Sequence, residues 1–264
     1  MTPLCQRGAA SCGACCGLYN RRDHSRRALS ALLDRRTAAL AHAPRTEAAF
    51  AAAATAADLG ADGGDPLFPT VRVCPLLGWL DGDRSRLGCL AHPAVTGGAD
   101  LRGAGAYDAA TCDAFLCPSH AWLSEEEAGL VEALCAGDPW LYGVVVTDVP
   151  FVRAALRGVA ALAGARVEPR HLSAPRFAGA LRELLGLKEE LRPGSDGLYG
   201  AFRPGAGGEP VPRTIDYAAL SRRPSPHDEI LLCVGADPRS GNDLDALEEQ
   251  VRARLDACLV EFPG

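Results

Sequence analysis

Cys12-Gly13-Ala14-Cys15-Cys16 is the densest point of a cysteine set that fills the first 120 residues: Cys5, Cys12, Cys15, Cys16, Cys74, Cys89, Cys112 and Cys117. Cys12 and Cys15 form a C-x2-C pair, a spacing that lets two sulfurs reach one metal from a tight turn. Gly13 relaxes that turn. Thiolates suit zinc and iron because they are soft, anionic donors. Successive side chains diverge, so Cys15 and Cys16 are expected to serve different metals, or one of them simply packs. The other cysteines arrive as Cys74-Pro75, Gly88-Cys89, Cys112 and Cys117-Pro118. A proline after a ligand stiffens the exit and removes a competing donor.

Eight cysteines allow two four-thiolate sites, one such site with spare residues, or a mixed site. His92 and His120, each three residues after a cysteine, and His24 are the candidates to complete a mixed site. The alternative for each is a surface or supporting group, and for the cysteine set as a whole it is buried apolar thiols without metal. Cys135, Cys233 and Cys258 lie in apolar patterns, where free cysteine acts as a small hydrophobe, and are set aside.

The rest of the composition is globular. The 264 residues are 48% hydrophobic and 23% charged, enough for a sizeable core. No apolar run approaches a membrane span. The first ten residues lack the apolar region of a signal peptide, so a reducing, cytoplasmic setting is expected, where clustered cysteines act as metal or redox groups more than as disulfides. Lys188 is the single lysine and Met1 the single methionine, a bias of genome composition. Residues 1–120 carry 12 basic against 11 acidic side chains, and residues 121–264 carry 15 against 22. The net charge of −6 argues against general nucleic-acid binding and leaves a protein partner open.

Periodicity predicts a helix over 21–42 with Leu29, Leu32, Leu33 and Leu40 on one face, stopped by Pro44. A second, alanine-rich helix is expected from Thr46 to Leu59 with Gly60 as its stop. Residues 60–122 hold no sustained period, and a structureless stretch of that length needs something to order it; bound metal is such a device. Ser124-Glu125-Glu126-Glu127 reads as a capping box opening a helix. Trp140 to Val149 and Ile230 to Val234 are ambiguous between strand and buried helix. Helices are expected over 149–163 and 175–191, and a Gly/Pro-rich loop over 192–226. The last helix starts at an Asn242 cap and repeats Leu244, Leu247, Val251, Leu255, Cys258, Leu259 and Phe262. The expected fold is therefore mainly α, with a cysteine-rich loop region organised by metal and packed with helices, and small β content allowed. Two domains are expected, at 1–122 and 123–264.

The motifs CGACC (12–16), CPLLG (74–78), GCLAHP (88–93) and CDAFLCP (112–118) together resemble the bacterial cysteine-cluster family with the signature CxxCxxCC, a zinc- or iron-chelating domain. The resemblance covers residues 5–120. It implies Cys12, Cys15, Cys16, Cys74, Cys89, Cys112 and Cys117 as metal ligands, with Cys5 standing in for the first signature cysteine, whose place holds Ala9. The Arg-Pro that usually follows the Cys-x-x-His unit is absent.

The function expected is metal binding, of zinc or iron, with an iron–sulfur cluster among the forms. The alternative is an iron–sulfur redox protein or enzyme with the cluster at its active site. Flagellin lysine methylases carry a similar-looking cysteine cluster, which makes methyl transfer one such activity. Metal sensing or delivery is a third class. No P-loop, dinucleotide fingerprint or nucleophile elbow is present. Asp81, Asp83 and Glu125 to Glu127 are read as turn and cap groups, Trp79, Trp122 and Trp140 as core anchors, and Arg21, Arg22, Arg26 and Arg27 as a solvated helix face, with contact to an acidic partner as the alternative.

Overall fold

Helix α1 (Arg26–Ala41) opens where the Ser25 hydroxyl accepts from the Ala28 N–H at 3.3 Å. This start lies five residues beyond the expected one, because a side-chain cap at Ser25 releases residues 21–24 from the helix. The computed structural model describes residues 3–58, 66–190 and 200–264. Those residues are mainly helical, with two small antiparallel ladders. They divide into two compact units, one of residues 1–120 with 136–143 and the other of residues 121–135 with 144–264. Among them, no helix is long and apolar enough to cross a membrane.

In the first unit, α1 pairs with α2 (Glu47–Asp58), whose first turn is capped by Thr46. Leu59 and Gly60, the expected end of this helix, lie outside the described residues. Leu29, Leu32, Leu33 and Leu40 are all buried, as their spacing predicts. Strands β1 (Leu77–Trp79) and β2 (Leu87–Cys89) form a hairpin with Leu77 opposite Cys89. β1 lies on α1, where the Thr37 hydroxyl accepts from the Trp79 N–H at 2.8 Å and Asp34 accepts from the Trp79 indole at 3.0 Å. Short helices α3 (Pro93–Thr96), α4 (Ala109–Ala114) and α5 (Ser119–Trp122) follow. The region from 66 to 120 is thus built from turns, a hairpin and short helices, and its segment from 74 to 106 shares a small core of Leu40, Phe50, Leu76, Leu90 and Leu101.

In the second unit, α6 (Glu125–Cys135) opens on the expected capping box. The Ser124 N–H donates to Glu127 at 2.8 Å and the Glu127 N–H to the Ser124 hydroxyl at 3.1 Å. The ambiguous stretch after Pro139 is helical: α7 (Pro139–Val146) passes from the first unit into the second at residue 143. Then come α8 (Val149–Ala163), capped by Asp148, and α9 (Pro175–Leu185), which ends earlier than periodicity suggests in a 3-10 turn at Gly186–Lys188.

The expected 192–226 loop is described only from residue 200, and there it contains a hairpin of β3 (Phe202–Pro204) and β4 (Pro210–Pro212). The ambiguous 230–234 stretch lies largely in α10 (Asp228–Cys233). The last helix, α11 (Gly241–Val260), buries Leu244, Leu247, Val251, Leu255 and Cys258 as its pattern requires, while Leu259 is 40% exposed. Its cap is Ser240, whose hydroxyl accepts from the Asp243 N–H at 3.2 Å, and not Asn242. Ser240 has the extended backbone a cap needs, whereas Asn242 already lies inside the helix.

Trp79 and Trp140 are buried anchors, but Trp122 is 63% exposed and anchors nothing. Arg21 also departs from the solvated face expected of it: it is buried, because the chain before Ser25 folds over onto Asp58.

Candidate metal centre

Each cysteine is placed by a short backbone device. Cys5 sits in a 3-10 turn at Leu4–Gln6, and its carbonyl accepts from the Cys12 N–H at 3.1 Å. The Cys12 sulfur accepts from the Ala14 N–H at 3.4 Å, the N–H to sulfur bond that a tight C-x2-C turn provides. Cys15 and Cys16 occupy the next 3-10 turn, Ala14–Cys16, closed by Gly17 at φ 76°. A Cβ on Gly17 would collide with the Arg72 carbonyl oxygen and sit 2.8 Å from the Val73 Cα, so only glycine lets the two segments meet. At this junction the Cys74 N–H donates to the Cys16 carbonyl at 2.8 Å. Cys89 ends β2, and Cys112 lies in α4 behind its Asp108 cap. The Cys117 carbonyl accepts from the His120 N–H at 2.8 Å.

The side chains sort into two groups. In one, the Cys15 thiol hydrogen-bonds the Cys117 sulfur, the charges of Cys5 and Cys12 act on Cys15, and that of Cys117 acts on Cys5 and Cys12. In the other, Cys16, Cys74, Cys89 and Cys112 act on one another, with Cys16, Cys74 and Cys89 packed into the core described above. Cys12 is the member of the first group that also acts on Cys16. All eight expected ligands therefore belong to one group or the other, four in each. Among the described residues, no three His, Cys, Asp or Glu side chains stand in the arrangement of a formed metal site.

The electrostatics follow from crowding buried sulfurs. Burial pushes the Cys12 thiol up to about 12 and Cys89 to about 11. Burial raises Cys5 and Cys112 as well, and burial followed by the charges of Cys74 and Cys89 drives Cys16 far up. Cys15 rises steeply because its proton is the one donated to Cys117. That same bond, with further bonds from Ser119, holds Cys117 below its ordinary value. A cluster of this kind keeps its protons on most sulfurs unless a cation replaces them.

The histidines take different places. His92 caps α3, its Nδ1 accepting from the Ala94 N–H at 3.2 Å. His24 is buried with its Nδ1 on the Arg21 carbonyl at 2.7 Å. His120 lies beside Cys117 and favours its thiolate. Neither His24 nor His92 joins a sulfur group. Cys135, Cys233 and Cys258 are fully buried in the second unit, which suits small hydrophobes.

Two neighbours of the cysteines escaped the sequence reading. Arg102 places a positive charge near Cys89 and Cys112 and is held by Asp100, at 2.9 and 2.7 Å, and by Asp113. Ser119 supports Cys117 through its hydroxyl and its backbone N–H. Ser119 directly follows Cys117-Pro118 and was open to notice; the Arg102 clamp depends on how α4 docks and has no spacing signature. No family model, curated protein or solved structure matches this chain.

Proposed function

We propose that this protein binds zinc or iron through eight cysteine thiolates arranged as two sets of four, Cys5, Cys12, Cys15 and Cys117 in one and Cys16, Cys74, Cys89 and Cys112 in the other. The observation that carries this reading is the sorting itself. Segments up to about 100 residues apart bring eight sulfurs into two groups of the number that a closed tetrahedral thiolate site uses. Each added sulfur raises the cost of ionising the others, a cost that a bound cation offsets. In this reading residues 5–120 act as a cysteine-cluster domain, working in a reducing compartment, and ligation energy replaces the core that the turn-rich segment lacks. In this reading the thiols of each set must draw together to become ligands, since no formed site stands among the described residues.

Zinc in both sets makes the centres structural. Iron with inorganic sulfide makes them redox-active, with thiolate ligation of the usual iron–sulfur kind. Anaerobic purification followed by elemental analysis and an absorption spectrum separates the two. A colourless protein with zinc supports the structural form, and a brown one bleached by dithionite supports the iron–sulfur form. Metal below about half an equivalent per chain rejects both.

A further inference from the structure

Residues 108–118 of the first unit carry one cysteine of each group, Cys112 of the second and Cys117 of the first. The chain is fixed on both sides of this segment. Before it, Ala104 and Ala106 pack on the core, and a Cβ on Gly105 would stand 2.7 Å from the Leu76 Cδ1 and 2.9 Å from the Cys74 sulfur. After it, Ser119 is buried. From Asp108 to Pro118 no residue is buried, and Phe115 and Leu116, between the two cysteines, are 53% and 50% exposed. Loss of apolar surface to the core therefore does little to hold the segment. Its backbone bonds close within it. The Cys112 N–H donates to the Asp108 carbonyl and the Phe115 N–H to the Thr111 carbonyl, both at 3.0 Å, while the Asp108 carboxylate accepts from the Thr111 N–H at 2.7 Å.

Among the described residues, two side-chain ties reach from this segment to the rest of the unit. One is the Cys15–Cys117 thiol bond. The other is the ion pair of Asp113 with Arg102, which donates through both Nη atoms, at 3.2 Å from Nη2. The two partners differ in setting. Arg102 is buried and stays fixed by Asp100 at 2.9 and 2.7 Å, whereas the Asp113 side chain is 64% exposed. A segment with local backbone bonds and little buried surface is the kind that opens ahead of the fold around it.

We propose that residues 108–118 are a strap that opens as one piece, clasped by the Arg102–Asp113 ion pair, so that Cys112 and Cys117 leave their two sets together. Arg102 is then a positioning residue for both centres. Each opened set keeps three thiolates and gains a free position, through which metal passes to a competing ligand. What the opening releases rests on the two-set reading; the opening itself does not.

The test is Asp113→Asn in the full chain, which removes the clasp and leaves Arg102 paired with Asp100. In the metal-free protein, hydrogen exchange of the amides of 108–118 should quicken about two- to fivefold, with those of α1 unchanged. In the zinc-loaded protein, transfer of zinc to an excess of a chromogenic chelator should quicken by a similar factor for both equivalents. The proposal is overturned by unchanged exchange over 108–118, by equal quickening in α1, or by faster transfer of one equivalent alone. A chain that takes up no zinc yet shows the change in exchange would reject the two-set reading and keep the strap.

Discussion

Cys15 and Cys16 are adjacent in the chain, yet their sulfurs belong to different groups: Cys15 bonds Cys117, while Cys16 packs with Cys74 and Cys89. The 3-10 turn sends consecutive side chains apart, and Gly17 in the left-handed region turns the chain away immediately after them. In the proposed reading the two residues therefore join two centres through one peptide bond. Cys15→Ser and Cys16→Ser are expected to remove metal from one set each and leave the other set loaded. Metal analysis of the purified variants checks this, and loss of all metal in either would argue for a single shared centre.

Gly17→Ala should be costly although it adds one methyl group. Its φ of 76° strains any side chain, and the new Cβ meets the Arg72 carbonyl at the contact that holds Cys74 beside Cys16. A loss of about 1–3 kcal/mol is expected from the backbone strain, with the steric clash added to it. Urea unfolding measures the loss, and metal analysis should show the second set depleted first.

The pH response of the metal-free protein has a definite sign. Cys12 and Cys89 hold their protons to about 12 and about 11 when folded, against 9.0 for an exposed thiol. A raised pKa contributes stability that is fully present below pH 9 and is lost as pH climbs through the folded values. The metal-free chain should therefore unfold at lower urea at pH 10 than at pH 8. Cys233 and Cys258, both near 12, add to the effect from the second unit, and the double variant Cys233→Ala with Cys258→Ala isolates the contribution of the sulfur groups. The metal-loaded protein should behave oppositely at low pH. Protons compete for the thiolates there, so acid releases metal.

The second unit has its own critical pair. Lys188, 1% exposed, donates to Asp148 at 2.5 Å and to the Cys233 carbonyl at 2.7 Å, with its ammonium 4.8 Å from the Phe151 ring centre. Lys188→Met removes one partner of a buried pair and should cost about 3–5 kcal/mol. Adding Asp148→Asn should recover part of that loss, which thermal unfolding of the single and double variants would measure.

Legibility followed the range of the interaction. The periodic leucines of α1 and α11 and the Ser124–Glu127 box are local patterns, and the structure carries them out. Trp140 to Val146 is apolar on all sides, so no period distinguished strand from helix before packing decided. The eight cysteines were visible as a set from spacing alone. Their division was not, because it depends on the Cys16–Cys74 backbone bond, the β1–β2 hairpin and the docking of α4. Arg21 was misread for the same reason: its partner Asp58 lies 37 residues away.

The most direct test of the central claim is the metal content of the anaerobically purified full chain, measured beside a count of thiols that react under native conditions. Two occupied four-thiolate centres predict at least two equivalents of zinc plus iron per chain, with the eight cysteines of residues 5–117 protected until a chelator is added. Less than about half an equivalent of metal, with those eight thiols reacting as readily before chelation as after it, would contradict the account.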